Sequence, residues 1–299
     1  MAEGEFMNRK KKISLKLAYR LGTERLEKAG VPDSGIDAWY LLEYVTGIGR
    51  AAYYADPGRE MDVTQWDDYE RFIDIRCRRV PLQHITGEQE FMGLRFHVNK
   101  NVLIPRQDTE ILAETALDIL EKADKAHGSR EKKVRLLDMC TGSGCILLSV
   151  LHYFGDRAEG NGSDISPKAL ETARENADSL GINAEFIESD LFENITEKYF
   201  MILSNPPYIR SSEIPKLQEE VRLYDPIEAL DGKEDGLYFY RRIAAESPRH
   251  LETGGYLLVE IGCDQAKAVA GLMKEQGFKD ICVKKDLAGL DRVVCGRYY

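Results

Sequence analysis

An apolar run, Tyr199-Phe200-Met201-Ile202-Leu203, is closed a few residues later by two consecutive prolines, Pro206 and Pro207. Such a run describes a strand buried on both faces, as in a parallel sheet. A Pro-Pro pair can neither continue that strand nor turn at once into a helix. The chain must open into a loop there, and in an open α/β sheet the carboxyl ends of the strands are where ligands bind.

The groups of that loop limit what it can hold. The Asn205 side-chain oxygen and the carbonyls of Pro206 and Pro207 are acceptors, and the prolines supply no competing N–H. A substrate NH2 group can donate to two such acceptors at once. Tyr208 adds a flat face for a planar amide or base. An isolated Pro-Pro would do no more than end a strand, but a second signal lies upstream.

That signal is Val134 to Gly144: an apolar strand ending in Asp138, a loop carrying Gly142 and Gly144, and a helix opening at Cys145. The glycines let backbone approach a ligand closely. The spacing is neither Gly-x-Gly-x-x-Gly nor a P-loop, so nucleotide phosphates are not the favoured ligand. Asp164 follows 20 residues after Gly144, a position that suits a bidentate grip on ribose hydroxyls. A ribose held without a phosphate grip suggests S-adenosylmethionine. Asp190 ends the next strand-like segment and suits an adenine amino group, although a strand-end Asp equally serves as a helix N-cap.

Residues 13 to 80 show helical spacing, broken by turn signals at Gly30-Val-Pro32 and Asp56-Pro-Gly58. Residues 89 to 104 alternate and are expected to form a hairpin turning at Asn99-Lys-Asn101. From Arg106 onward strands and helices alternate, implying a mostly parallel sheet covered on both faces. The last two strands, around Ile281–Lys285 and Arg292–Arg297, are joined too tightly for a helical crossover and should pair antiparallel. Asp156–Ser163 is too polar and Gly-rich for a good buried strand.

At 299 residues the chain can hold two domains, and its formal net charge of −10 argues against a nucleic-acid-gripping surface. Arg76, Arg78 and Arg79 form a local basic cluster that reads first as a solvated helix end and second as a contact for a large ribonucleoprotein-associated substrate. No apolar stretch approaches a bilayer span, and the amphipathic segment after Arg9–Lys12 reads as a helix face rather than a signal sequence. Met1–Phe6 reads as an added leader ahead of a start at Met7. Six cysteines, at 77, 140, 145, 263, 282 and 295, lack any Cys-x-x-Cys pair. Reduced, mostly buried thiols in a cytoplasmic protein are expected, and no metal site.

Together, Asp138-x-x-Thr141-Gly-Ser-Gly144, Asp164-Ile-Ser, Ser189-Asp-Leu-Phe192 and Asn205-Pro-Pro-Tyr-Ile209 resemble the class I S-adenosylmethionine-dependent methyltransferases that modify an amide or amino nitrogen. The closer resemblance is to the HemK/PrmC family, the release-factor glutamine N5-methyltransferases. It is carried by Pro81–Gly87, Phe91–Phe96, Val102–Glu110, Tyr224–Gly232, Asp235–Leu237 and Lys285–Val294, and extends from about Leu17 to the C-terminus.

The resemblance implies an α/β, Rossmann-like seven-stranded sheet with its last strand antiparallel. It implies a helical substrate-recognition domain at 1–88, a β-hairpin linker at 89–104 and a methyltransferase domain at 105–299. The expected donor is S-adenosylmethionine, leaving S-adenosylhomocysteine. Asp138, Cys140, Thr141, Gly142, Ser143, Gly144, Asp164, Ile165, Asp190, Leu191 and Asn205 would hold it. Asn205, Pro206, Pro207 and Tyr208 would hold the reacting amide, with Arg106 and Glu110 at the substrate entrance unless those two are only a helix-surface ion pair. The implied partner is a peptide chain release factor, without sequence-specific nucleic-acid binding or a membrane. A ribosomal-protein glutamine or a nucleic-acid adenine N6 would pose the same hydrogen-bonding problem. Cys140 stands where the family more often has a glycine, Gln107 where proline is usual, and Leu191 where some relatives carry an aromatic ring.

Overall fold

The computed structural model describes residues 13–127 and 132–299, so Met1–Phe6 and Arg9–Lys12 lie outside the described residues. The chain divides into two compact units, one ending at Gly87 and the other beginning at Glu88.

The first unit is built of the helices Leu15–Lys28, Ser34–Thr46, Arg50–Ala55, Val63–Cys77 and Leu82–Thr86. Ser14 caps the first by accepting the Leu17 N–H at 3.3 Å, and Asp62 and Gln65 close a reciprocal capping box on Val63–Cys77. Their apolar faces meet in a core of Leu15, Leu26, Leu41, Leu42, Tyr69 and Ile73. The basic cluster departs in part from the expected solvated end: Arg78 is exposed, but Arg76 and Arg79 are engaged. Arg76 is buried, its Nε donating to Asp37 Oδ2 at 2.7 Å and its Nη1 to the Val80 carbonyl at 3.2 Å, while Arg79 donates to the Gly30 carbonyl. A buried guanidinium needs such partners, and here they tie helix ends together.

The second unit opens with a hairpin, β1 (Glu88–Phe91) and β2 (Leu94–His97). It turns at Met92-Gly93 rather than at Asn99–Asn101. Both turn residues have positive φ, 52° and 71°, as a two-residue turn matched to strand twist requires. Met92 tolerates this because both its backbone groups are held: its N–H donates to Glu110 Oε1 and its carbonyl accepts the Tyr153 hydroxyl, each at 2.6 Å.

The main sheet contains β3 (Val134–Met139), β4 (Ala158–Asp164), β5 (Glu185–Glu188), β6 (Tyr199–Ser204), β7 (Leu251–Glu260), β8 (Lys279–Lys285) and β9 (Asp291–Arg297), in the order β5-β4-β3-β6-β7-β9-β8. Only β9 runs against its neighbours, as expected from its short connection to β8. Successive residues alternate between two cores. Leu136, Met201, Leu258 and Val293 pack against the helices Glu110–His127 and Cys145–Phe154, whereas Leu137, Ile202, Leu257 and Val294 pack against Tyr238–His250 and Ala266–Glu275.

The polar stretch over 158–164 is a full parallel strand, although its composition is poor for a buried one. Its glycines are the reason: a Cβ on Gly160 would lie 2.5 Å from Leu147 Cδ1, and one on Gly162 would lie 2.8 Å from the Phe186 ring. Neighbouring side chains supply the apolar cover that the strand lacks. The expectation of reduced thiols also fails at one pair. Cys282 and Cys295 sit directly opposite in the β8–β9 register, Cα to Cα 5.3 Å, and are joined as a disulfide; Cys77, Cys140, Cys145 and Cys263 are free.

Candidate active site

Sheet order reverses at β3, which has β4 on one side and β6 on the other. Registry of Met139 with Ser204 brings the ends of β3 and β6 level, and the Ser204 hydroxyl donates to the Met139 carbonyl at 2.8 Å. The two loops singled out in the sequence therefore leave the sheet side by side. They open on a cavity of about 760 Å3, placed where an open α/β sheet binds its ligands.

The glycine loop forms one wall. Cys140, Gly142 and Gly144 have φ of 59°, 55° and 80°. Gly144 is packed, since a Cβ there would lie 3.1 Å from Leu148 and 3.3 Å from Ala173; Gly142 faces open space. Asp138 lies beneath, wholly buried, its Oδ2 accepting from the Thr141 hydroxyl at 2.6 Å and the Leu147 N–H at 3.4 Å, and its Oδ1 without a hydrogen-bond partner among the described residues. Burial pushes this carboxyl up to about 7, against the pull of those two bonds.

Asp164 closes the loop from β4. Its Oδ2 accepts the Gly142 N–H at 3.0 Å and its Oδ1 the Ser166 N–H at 2.9 Å. A carboxylate has about four acceptor sites, so lone pairs remain on both oxygens. Asp190 and Leu191 follow β5 on the same wall. Arg242 holds Asp190 Oδ1 at 2.8 Å, and Leu191, at φ 51°, has its carbonyl tied by the Ser189 hydroxyl at 2.7 Å.

Asn205 lies across from this wall. Its Nδ2 donates to Thr109 Oγ1 at 3.4 Å, leaving Oδ1 uncommitted among the described residues. Pro207 and Arg106 also line the cavity. Arg106 pairs with Asp225 at 2.8 Å rather than with Glu110, and burial nonetheless pushes the Asp225 carboxyl up to about 6.

The cavity thus gathers Cys140, Thr141, Gly142, Ser143, Asp164, Ile165, Asp190, Leu191, Asn205, Pro207 and Arg106 from the sequence-derived set. Asp138, Gly144 and Pro206 support its wall without lining it. Glu110 is drawn away to the Met92 N–H, and Tyr208 is half-buried, its hydroxyl donating to Glu260 Oε1 at 3.3 Å. Sequence reasoning missed Thr109, Arg242 and Glu260. Glu260 ends the apolar run Tyr256–Val259, the same strand-end acid signal that singled out Asp138 and Asp164. Burial pushes Glu260 up to about 7, opposed by the Thr109 hydroxyl and Arg292. Among the described residues no His, Cys, Asp and Glu group could hold a metal ion, and no helix is long and apolar enough to cross a membrane.

Two family models match this chain: the PrmC N-terminal domain over residues 18–87 and the methyltransferase small domain over 113–221. A release factor glutamine methyltransferase of Clostridium acetobutylicum is 41% identical over 288 residues, covering 95% of this chain and 96% of its own. The protein of that name from Agrobacterium fabrum is 42% identical over 279 residues, covering 92% and 94%. Among solved structures, the hMettl16 catalytic domain in complex with the MAT2A 3'UTR hairpin 6 superposes with a TM-score of 0.52 at 15% identity, over 76% of this chain and 82% of that one. The likeness is one of fold.

Proposed function

The chain belongs to the release factor glutamine methyltransferases, and from that premise we propose that it transfers a methyl group from S-adenosylmethionine to the side-chain nitrogen N5 of a glutamine in a peptide chain release factor. One observation supports this most: the donor-type loop around Gly142 and Asp164 and the acceptor-type loop at Asn205 open on a single cavity.

The residues present fit the donor. Lone pairs left on both Asp164 oxygens suit a ribose diol, and the open face of Gly142 leaves room beside them. Asp190, held still by Arg242, suits an adenine amino group, with Leu191 and Ile165 as apolar walls. When bound, the donor supplies an electrophilic methyl on a sulfonium. The carboxylates of Asp164 and Asp190, which line the cavity, favour a cation.

The protein's part is orientation. An amide nitrogen is a poor nucleophile because its lone pair is delocalised into the carbonyl. Asn205 Oδ1 and a backbone carbonyl of the Pro206-Pro207 segment would each accept one N–H, fixing the nitrogen toward the methyl and favouring the charge that develops on it. No early general base is needed, because the N–H becomes acidic only as the bond forms. Tyr208, with its hydroxyl committed to Glu260, would brace this loop from behind rather than stack on the amide.

Labelled donor offered with purified release factor, ribosomal protein and adenine-containing DNA tests the reading, with mass spectrometry locating the product. Label on a release-factor glutamine is the expected result; label on DNA alone would overturn it. Asn205→Ala should abolish transfer while donor binding, measured by calorimetry, persists. Asp164→Ala should instead weaken the donor dissociation constant, and an unchanged value removes Asp164 from the ribose.

A further inference from the structure

The helix Pro167–Leu180, which follows β4, buries polar groups on a side where a core-facing helix would carry apolar ones. Ala169, Thr172 and Asn176 are spaced three and four apart, so they share that side, and they are 3%, 2% and 1% exposed. The stretch leaving the hairpin lies against them. Val98 and Val102 pack on Ala169 in a small core of their own, and Asn99 Nδ2 donates to Thr172 Oγ1 at 2.9 Å. The Asn176 amide takes both backbone groups of His97: its Oδ1 accepts the N–H at 2.6 Å and its Nδ2 donates to the carbonyl at 3.0 Å.

The second hydrogen on Asn176 Nδ2 goes to the glycine loop, where it meets the Ser143 carbonyl at 2.9 Å. In a regular helical turn that carbonyl would accept the N–H four residues on, but the Leu147 N–H is drawn to Asp138 Oδ2 instead. Ser143 is 2% exposed, so water does not freely replace the lost donor. Asn176 supplies it. Only one orientation of the amide serves these partners, because the two carbonyls accept and the His97 N–H donates.

One buried side chain thus joins two parts of the cavity wall. Residues Lys100 to Leu103 and Pro105 line the cavity, as do Thr141, Gly142 and Ser143. We propose that Asn176 is a positioning residue for the methyl donor, and that Asn99–Pro105 is a wall of the donor pocket, held in place by Asn176 and Thr172, rather than a passive connector. The inference deepens the donor half of the methyl-transfer reading and rests on it. Cys140, Gly142 and Gly144 all have positive φ, a backbone that no regular ladder supports. The loop keeps its shape through ties from outside, Asp164 at Gly142 and Asn176 at Ser143.

Two measurements on the full-length protein test the proposal. Asn176→Asp keeps the side-chain shape but sets an acceptor against the Ser143 and His97 carbonyls, and the S-adenosylmethionine dissociation constant, read by calorimetry, should rise about tenfold while KM for release factor stays unchanged. Thr172→Val releases Asn99 alone and should raise the same constant roughly threefold, with Thr172→Ser restoring it. In hydrogen exchange of the donor-free protein, residues 97–103 and 141–144 should exchange faster together in Asn176→Asp, and only 97–103 in Thr172→Val, with β6 and β7 unmoved. A lowered Tm with donor affinity intact in Asn176→Asp would reduce Asn176 to a structural role and overturn the proposal. Unchanged affinity in Thr172→Val would remove Asn99–Pro105 from the donor pocket, and that variant decides alone if Asn176→Asp does not fold. Failure of the unaltered protein to bind S-adenosylmethionine would sink the methyl-transfer reading itself; binding that the variants leave untouched sinks only the role of Asn176.

Discussion

Cys140 occupies a backbone position that glycine fills more easily. At φ 59° a Cβ is strained, and the free energy of left-handed backbone for an L residue is about 1–2 kcal/mol. Cys140→Gly should therefore be more stable than Cys140→Ala by about 1 kcal/mol in urea unfolding, the reverse of the order in a helix. The buried acids make a second test. Asp138 titrates near 3.8 when unfolded and near 7 when folded, so between those values the folded state holds the extra proton. Stability must then fall as pH rises from about 4 to about 7, and Glu260 and Asp225 act in the same direction. Asp138→Asn should flatten that fall by about 1.4 kcal/mol per pH unit, read from unfolding free energies across the range. An unchanged slope would place the Asp138 titration elsewhere. Asp138, Asp164 and Asp190 were legible in the sequence because each ends a strand-like run. Thr109 was not, because its partner Asn205 lies 96 positions away and only the folded sheet brings them together.

At the scale of elements, β4 was the weakest strand in the sequence. Composition rates Asp156–Ser163 as poor for a buried strand because it counts what a strand carries, whereas a central strand can be covered by what its neighbours carry. Leu147 and Phe186 occupy the space that side chains at 160 and 162 would need. Gly162→Val should therefore cost about 2 kcal/mol or more, by overpacking against Phe186 and against Thr141, whose Oγ1 would lie 3.0 Å from the new Cβ. Because Thr141 belongs to the glycine loop, donor affinity should fall with stability. Chemical denaturation and calorimetry on the one variant check both; full stability would show that the strand has room. The hairpin is present, but its turn was misplaced. Asn99-Lys-Asn101 has turn chemistry, and Asn99 Oδ1 does accept the Asn101 N–H at 2.9 Å, but Met92-Gly93 makes the two-residue connection.

For the whole molecule, alternation of strand and helix after Arg106 was enough to foresee the layered sheet, and the short β8–β9 link its antiparallel strand. The residues lining the cavity run from Lys100 to Phe239, all within the second unit. A chain beginning at Glu88 should therefore bind S-adenosylmethionine as tightly as the full protein by calorimetry, with the loss falling on KM for release factor. Loss of donor binding would show that the second unit does not hold its site alone. The place of β9 has a different consequence. The latest strand in the sequence lies inside the sheet, between β7 and β8. A chain halted before Asp291, by a premature stop or a protease, would carry two raw strand edges facing an empty slot, one of them the almost wholly apolar Tyr256–Val259. Such edges invite pairing with other chains. Incomplete copies of this protein should thus aggregate rather than linger as partly working enzyme, so quality control is written into the order of its strands.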